Sequence, residues 1–148
     1  MVRKLKTIIP YLSYSGNTQE VAELIAETLA DNYVSASLHQ IGIDSPIDPE
    51  AYDFIFLGTF TWEIGSTPDE VKDFILEIGY KPDNIAVFGT GDTQFGGEKL
   101  FCRAVDKLCQ FYHSPWDGLK IEQSPRGSQE QLVKQWTEGV LDHARVFT

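Results

Sequence analysis

The chain has 148 residues, a length that fits one domain over 1–148 and lets roughly 68–70% of the unfolded surface be buried, so neither a disulfide nor a metal is needed for folding. No apolar run approaches the ~20 residues of a membrane-spanning helix. With 22 acidic against 12 basic residues the net charge is −10, which argues against a nucleic-acid partner and leaves two readings of the acidity, plain solubility or steering toward basic partners.

Met1 to Lys4 is basic, but the short apolar stretch after it is interrupted at Pro10, Tyr11 and Ser13 and carries no small-residue cleavage site, so we read no signal peptide. Leu5 to Leu12 is expected to be the first strand, apolar enough to be covered on both faces. Pro10 cannot donate to a ladder, so a bulge or an early end to pairing is expected there. Asn17 to Ala30 has the helical period, with Val21, Leu24, Ile25, Thr28 and Leu29 on one face. Val34 to Ile41 alternates as a half-exposed edge strand, and Gly42 to Glu50, broken by Pro46 and Pro49, is a connection with at most one helical turn.

Tyr52 to Gly58 is the clearest buried strand, and a loop over Thr59 to Thr67 follows. Pro68, Asp69 and Glu70 then open a helix to about Ile78, as a proline and acids suit a first turn. After a turn over Gly79 to Asp83 comes a fourth strand, Asn84 to Gly89, and a glycine-rich loop, Gly89 to Gly97. A helix is expected from Glu98 to about Tyr112 with Phe101, Val105, Leu108 and Tyr112 inward, then a short strand over Leu119 to Gln123. A last helix, Ser128 to Arg145, has Leu132, Val133, Trp136, Val140 and Ala144 on its apolar side. Strands alternating with helices predict an α/β fold, a doubly wound, three-layer arrangement on a five-stranded parallel sheet with right-handed crossovers.

Cys102 and Cys109 stand seven apart on one expected helix, where two turns hold their Cα atoms ~10 Å apart, too far for a bridge. Free thiols suit a reducing cytoplasm, which is the expected location. His39, His113 and His143 are scattered, form no metal-ligand spacing and are expected at the surface.

In such a sheet, ligands bind outside the carboxyl ends of the strands, and three loops emerge there. The first, Ser13-Tyr14-Ser15-Gly16-Asn17-Thr18, offers hydroxyls, an amide and a glycine at a helix start, whose unpaired N–H groups and partial positive charge suit a phosphate. Taken alone it is equally an ordinary turn with Asn17 as helix cap. It has no Lys-Ser/Thr pair after Gly16, as a Walker loop would, and no G-x-S-x-G elbow. The second loop, Thr59-Phe60-Thr61-Trp62-Glu63, and the third, Thr90-Gly91-Asp92 to Phe95, each carry a large aromatic residue. Trp62 and Phe95 could fill gaps under their loops, and Asp92 could be a plain turn residue; three such loops at one edge favour a flat ligand between the two rings. A full dinucleotide fingerprint fails, because Gln94 occupies its third glycine position.

These stretches resemble the flavodoxins. Ser13 to Thr18 is similar to the family's S/T-x-S/T-G-N-T phosphate loop, Gly58-Thr59-Phe60-Thr61-Trp62 to G-T/C-x-T-W/Y, and Phe88-Gly89-Thr90-Gly91-Asp92 to F-G-x-G-D, with Phe101-Cys102-Arg103-Ala104-Val105-Asp106 downstream similar to F-C-x-A-V-D. The resemblance runs over about residues 5–136, lacks the insertion of long-chain members, and implies the 2-1-3-4-5 strand order, which the handling of flavin mononucleotide (FMN) in that fold makes a cofactor site at the β1/β3 switch point. It implies that Ser13, Tyr14, Ser15, Gly16, Asn17 and Thr18 hold the phosphate. Thr59, Phe60, Thr61, Trp62 and Glu63 would border the ring, with Trp62 stacked on it. Thr90, Gly91 and Asp92 would line the pyrimidine edge, and Phe95 would cover the other face. Glu63 stands where the family often has a glycine whose peptide turns over on one-electron reduction; a non-glycine residue resists φ > 0 by ~1–2 kcal/mol, so a weaker one-electron-reduced state is expected. The third loop is about two residues longer than usual, through Gly96 and Gly97, and Phe95 lacks the phenol of the usual Tyr.

The function so implied is a monomeric, low-potential one-electron carrier and not an enzyme. Its donor would be a flavodoxin/ferredoxin–NADP reductase, and its acceptors redox enzymes with basic docking faces, such as a cytochrome P450 or a radical-enzyme activation system. Alternatives are a related flavoprotein that activates manganese ribonucleotide reductase and an FMN-dependent quinone reductase, for which no nicotinamide motif is present. A receiver domain of similar fold would need an acceptor Asp where this chain has Gly58-Thr59.

Overall fold

The computed structural model describes residues 5–44, 47–61, 67–79, 81–92 and 102–147, the last five by their backbone alone. In chain order the elements are β1 (Thr7–Tyr11), α1 (Asn17–Asp31), β2 (Ala36–Gln40), a 3₁₀ turn (Pro49–Ala51), β3 (Phe54–Phe60) and α2 (Asp69–Ile78). They continue with β4 (Ile85–Gly91), α3 (Arg103–Tyr112), β5 (Leu119–Glu122) and α4 (Ser128–Phe147). The strands form one parallel sheet in the order β2-β1-β3-β4-β5, as expected.

The strand period of two divides the apolar residues between two layers. Ile9, Phe54, Phe56 and Phe88 point to the side of α1 and α4, where Val21, Ile25, Val133 and Val140 meet them. Ile8, Ile55, Leu57 and Val87 point to the other side, against Val71 and Phe74 of α2 and Val105 and Leu108 of α3. Each such side chain contributes about 1.5–3 kcal/mol when fully buried. The inner strands therefore read as unbroken apolar runs, while edge strand β2 leaves Ser37 and Leu38 exposed.

Several expectations need correction. Pro10 makes no bulge and does not end the strand. Thr7, Ile8 and Tyr11 keep one constant offset to Phe54, Ile55 and Gly58 of β3, and only the positions between them go unpaired. Leu12 donates its N–H to Gly58 O of β3 at 3.1 Å, and Tyr11 O accepts from Ile41 beyond β2 at 2.9 Å. Even positions of β1 thus face β3, which puts the missing Pro10 donor on that ladder, while pairing with His39 of β2 continues past it.

The helix expected from Glu98 begins instead at Arg103, because Cys102 takes a left-handed conformation (φ 50); residues 98–101, Phe101 included, lie outside the described residues. Leu132, expected inward on α4, is 46% exposed; Leu141 and Thr137 are buried on that helix instead. His39, expected at the surface, is only 6% exposed and packs on Phe74, ring centroids 5.9 Å apart. The alternation of β2 is thereby reversed, with Leu38 outward and His39 beneath α2. Burial holds His39 below the ordinary histidine value, and Asp44 and Glu77 pull partly the other way.

Candidate functional site

The carboxyl ends of β1, β3 and β4 deliver three loops to one edge. At the first, Gly16 has φ 94 and precedes α1, and its N–H donates to Ser13 Oγ at 3.1 Å. The first helical bond runs from Glu20 N to Gly16 O at 3.0 Å. Among the described residues no side chain caps α1. Asn17 is the first helical residue rather than the cap, which removes the ordinary capped turn as an account of this loop. The leading N–H groups of α1 are therefore not claimed by a side chain, and a Cβ placed on Gly16 would meet nothing within 4 Å. Tyr14 and Ser15 are exposed, Asn17 is half-buried, and Thr18 is buried.

Thr18 shares a buried hydrogen bond of 2.8 Å with Thr90 on β4, which fixes the start of α1 to the carboxyl end of that strand. Thr59 and Phe60, expected to open the second loop, instead continue β3, paired with Gly89 and Thr90; Thr59 is fully buried and its hydroxyl donates to Phe60 O at 2.8 Å. The Phe60 ring lies 4.9 Å from that of Tyr14, tilted by 51°, and so joins the first loop to the end of β3. Thr61 N donates to Thr90 O at 3.3 Å, and Thr61 Oγ1 accepts from Ala104 N at 3.1 Å, which caps α3 from outside its own segment. Thr90 and Gly91, expected on the third loop, instead continue β4, paired with Ile121 and Glu122 of β5; Gly91 and the following Asp92 are half-buried. The structure therefore brings Ser13 to Thr18, Thr59 to Thr61 and Thr90 to Asp92 together. Thr18, Thr59 and Thr90 form its buried frame. Trp62, Glu63, Phe95 and the Gly96–Gly97 extension lie outside the described residues.

A fourth loop, after β5, was not singled out from the sequence. Gln123 takes a left-handed conformation (φ 57), donates its N–H to Gly91 O at 2.7 Å, and donates through Nε2 to Asp92 Oδ2 at 3.3 Å. Arg126 donates through Nη1 and Nη2 to both Glu20 carboxylate oxygens, at 2.9 and 3.3 Å. Gln129 braces this loop by accepting from Glu122 N at 2.7 Å and donating to Glu122 O and Ser124 O. The rule that places ligands at carboxyl strand ends applies equally to β5, and the Pro125-Arg126-Gly127 triplet before a helix was the available signal.

Nucleophilic chemistry has little support elsewhere. Burial pushes the Cys102 thiol up to about 12 and the Cys109 thiol up to about 11, so both stay protonated at neutral pH. Among the described residues no group of three His, Cys, Asp or Glu is placed to hold a metal ion, and no helix is long and apolar enough to cross a membrane.

A parallel sheet whose order reverses between β1 and β3, with an uncapped helix start directly after β1, defines a doubly wound α/β protein of the mononucleotide-binding kind. The flavodoxin family model matches residues 9–112, and the chain belongs to the flavodoxin family. It is 33% identical to Probable flavodoxin 2 of Bacillus subtilis (strain 168) over 135 residues, covering 85% of this chain and 87% of that protein. It is similar to the solved oxidised flavodoxin 2 of Bacillus cereus, at 31% identity and TM-score 0.79, with 93% of this chain and 99% of that one covered. A short-chain flavodoxin associated with a non-canonical PDU bacterial microcompartment shares the fold at TM-score 0.83 and 23% identity, with 95% of this chain and 99% of that one covered.

Flavodoxins are FMN-binding proteins that carry electrons to redox partners. The residues present fit the cofactor's phosphate. The donors of α1 are uncapped, the side chains of Ser15 and Asn17 make no hydrogen bond among the described residues, and the space above Gly16 is open.

Proposed function

We propose that this chain is a single-domain, monomeric, cytoplasmic carrier of single electrons at low potential. Its donor is a flavodoxin/ferredoxin–NADP reductase, and its acceptors are redox enzymes with basic docking faces. The observation that carries the reading is the uncapped start of α1, with Gly16 at φ 94, at the switch point of the sheet. In this reading Ser13 to Thr18 grip the phosphate with neutral donors and the helix end. Thr59, Phe60, Thr61, Trp62 and Glu63 border the ring, with Trp62 stacked on one face, Thr90, Gly91 and Asp92 line its pyrimidine edge, and Phe95 covers the other face.

Bound FMN supplies the redox chemistry, accepting and releasing electrons one at a time. The chain positions and tunes it. The Thr18–Thr90 bond holds the phosphate loop at a fixed place relative to the carboxyl end of β4. Asp92 and a net charge of −10 oppose the addition of negative charge, which lowers the potential of full reduction. That same acidity suits a basic partner face.

An anaerobic dithionite titration of the purified holoprotein, followed by visible absorption, tests the proposal. Reduction in two resolved single-electron steps, with the second at low potential, is expected, together with reduction by NADPH only when a reductase is added. Direct oxidation of NAD(P)H at enzymatic rates by the protein alone would overturn the carrier reading.

A further inference from the structure

The phosphate loop contains no Lys or Arg, yet a cation from late in the chain, Arg126, pairs with Glu20, two residues past the loop. Glu20 is the residue whose N–H closes the first turn of α1 on Gly16 O. Glu20 is thus the acidic residue of the first turn of α1, the turn that carries the uncapped donors. A carboxylate in a first turn is ordinarily favourable to a helix, because it answers the partial positive charge of the N-terminus. Here that charge has another use, since the same terminus is the anion site. An unscreened carboxylate on the first turn would compete with the phosphate for the helix end and repel it.

Arg126 answers Glu20 in a two-pronged arrangement, Nη1 to Oε2 at 2.9 Å and Nη2 to Oε1 at 3.3 Å, from 106 positions later in the sequence. The loop that carries it is not free to drift. Gln123, strained into a left-handed conformation, bonds to Gly91 O and Asp92 Oδ2, and Gln129 bonds to Glu122 on both its N–H and C=O and to Ser124 O. Exposed ion pairs contribute little to stability, and Arg126 and Glu20 are 71% and 41% exposed. Holding a guanidinium over this one carboxylate has its consequence in the charge beside the anion site.

We propose that Arg126 is a positioning residue for the cofactor: by neutralising Glu20 it keeps the α1 terminus available to the FMN phosphate. The proposal rests on the phosphate being held at that terminus. It separates the two ends of the ligand, because the effect acts on the phosphate and not on the isoalloxazine ring. Riboflavin, which has the ring and lacks the phosphate, is the control.

The test is the dissociation constant of the apoprotein for FMN and for riboflavin, read by flavin fluorescence quenching at low and at physiological ionic strength. Arg126→Gln is expected to weaken FMN binding about fivefold at low salt, less at higher salt, and to leave riboflavin binding within error. Arg126→Lys should restore most of the loss. The double variant Glu20→Gln/Arg126→Gln should return FMN affinity close to the starting value, because the carboxylate that needed screening is gone. Equal weakening of FMN and riboflavin, or no change in FMN binding, would overturn the proposal, as would a double variant no better than Arg126→Gln alone. An unmodified chain that takes up riboflavin as tightly as FMN would overturn the phosphate site itself, and this proposal with it.

Discussion

The first and third strands that end at the cofactor edge are continued by different physical means. After β1 the chain turns on Gly16, which is there for its torsion: φ is 94, and the space around a notional Cβ is empty. At the end of β4 the chain passes through Gly89, which is there for its lack of volume. A Cβ at that position would lie 2.5 Å from Val105 Cγ2 and 2.6 Å from Thr59 O, while its φ is ordinary. Gly58 on β3 is of the second kind, 2.2 Å from the buried ring of Phe88. The β1 end of this edge thus turns on a glycine set on open ground, and the β4 end is cut into the packed core. A change at the first should act mainly on ligand binding, and a change at the second on the fold.

The largest expected effect tests the second half of that contrast. Gly89→Ala forces a methyl group against a backbone oxygen that cannot yield, at a cost of about 3 kcal/mol or more, so thermal unfolding should drop by roughly 6–12 °C. A melting temperature within 2 °C or so of the parent would mean that the core is looser there than described. Next comes the link between the two ends. Thr18→Val removes one partner of a buried 2.8 Å bond and strands the Thr90 hydroxyl, for about 1–3 kcal/mol by denaturant unfolding. The double variant Thr18→Val/Thr90→Val should cost less than the sum of the two single changes; simple additivity would show that the hydroxyls are not coupled.

Gly16→Ala tests the first half. It should cost only ~1–2 kcal/mol in stability, from strain at positive φ, and weaken FMN binding more than it weakens riboflavin binding. A loss of stability as large as that of Gly89→Ala would erase the distinction between the two glycines. The smallest effect lies away from the site, on His39. Burial lowers its proton affinity in the folded state, so the unfolded chain binds more protons in the window between the folded and unfolded pKa values. Stability from this group is full above about pH 6.5 and is lost as pH falls below it, with Asp44 and Glu77 moderating the loss. His39→Leu should flatten the pH dependence of unfolding between about pH 5 and 7; an unchanged slope would remove His39 as its source.

The order and type of the elements were legible because inner parallel strands read as unbroken apolar runs and the helices carry a clear period. What was missed has particular causes. The sequence does not show which ladder the missing N–H of Pro10 faces, and the β3 ladder alone absorbs the gap. Leu38 lies exposed and His39 buried against Phe74 because β2 is an edge strand, covered by α2 on one side at that position, and side-chain polarity alone does not show which side is covered. The helix boundary at Cys102 depends on one left-handed residue, and a non-glycine residue gives no sign of that in its identity. At the site, the first loop was legible as a motif, whereas Thr61 capping α3 and Arg126 pairing with Glu20 join segments 43 and 106 residues apart, and no local pattern reports such contacts.

The most direct test of the whole account is a titration of the apoprotein with FMN, followed by quenching of flavin fluorescence. Saturation at one equivalent, with riboflavin bound measurably less tightly, is the predicted result. A protein that leaves FMN fluorescence unchanged through several equivalents would contradict it.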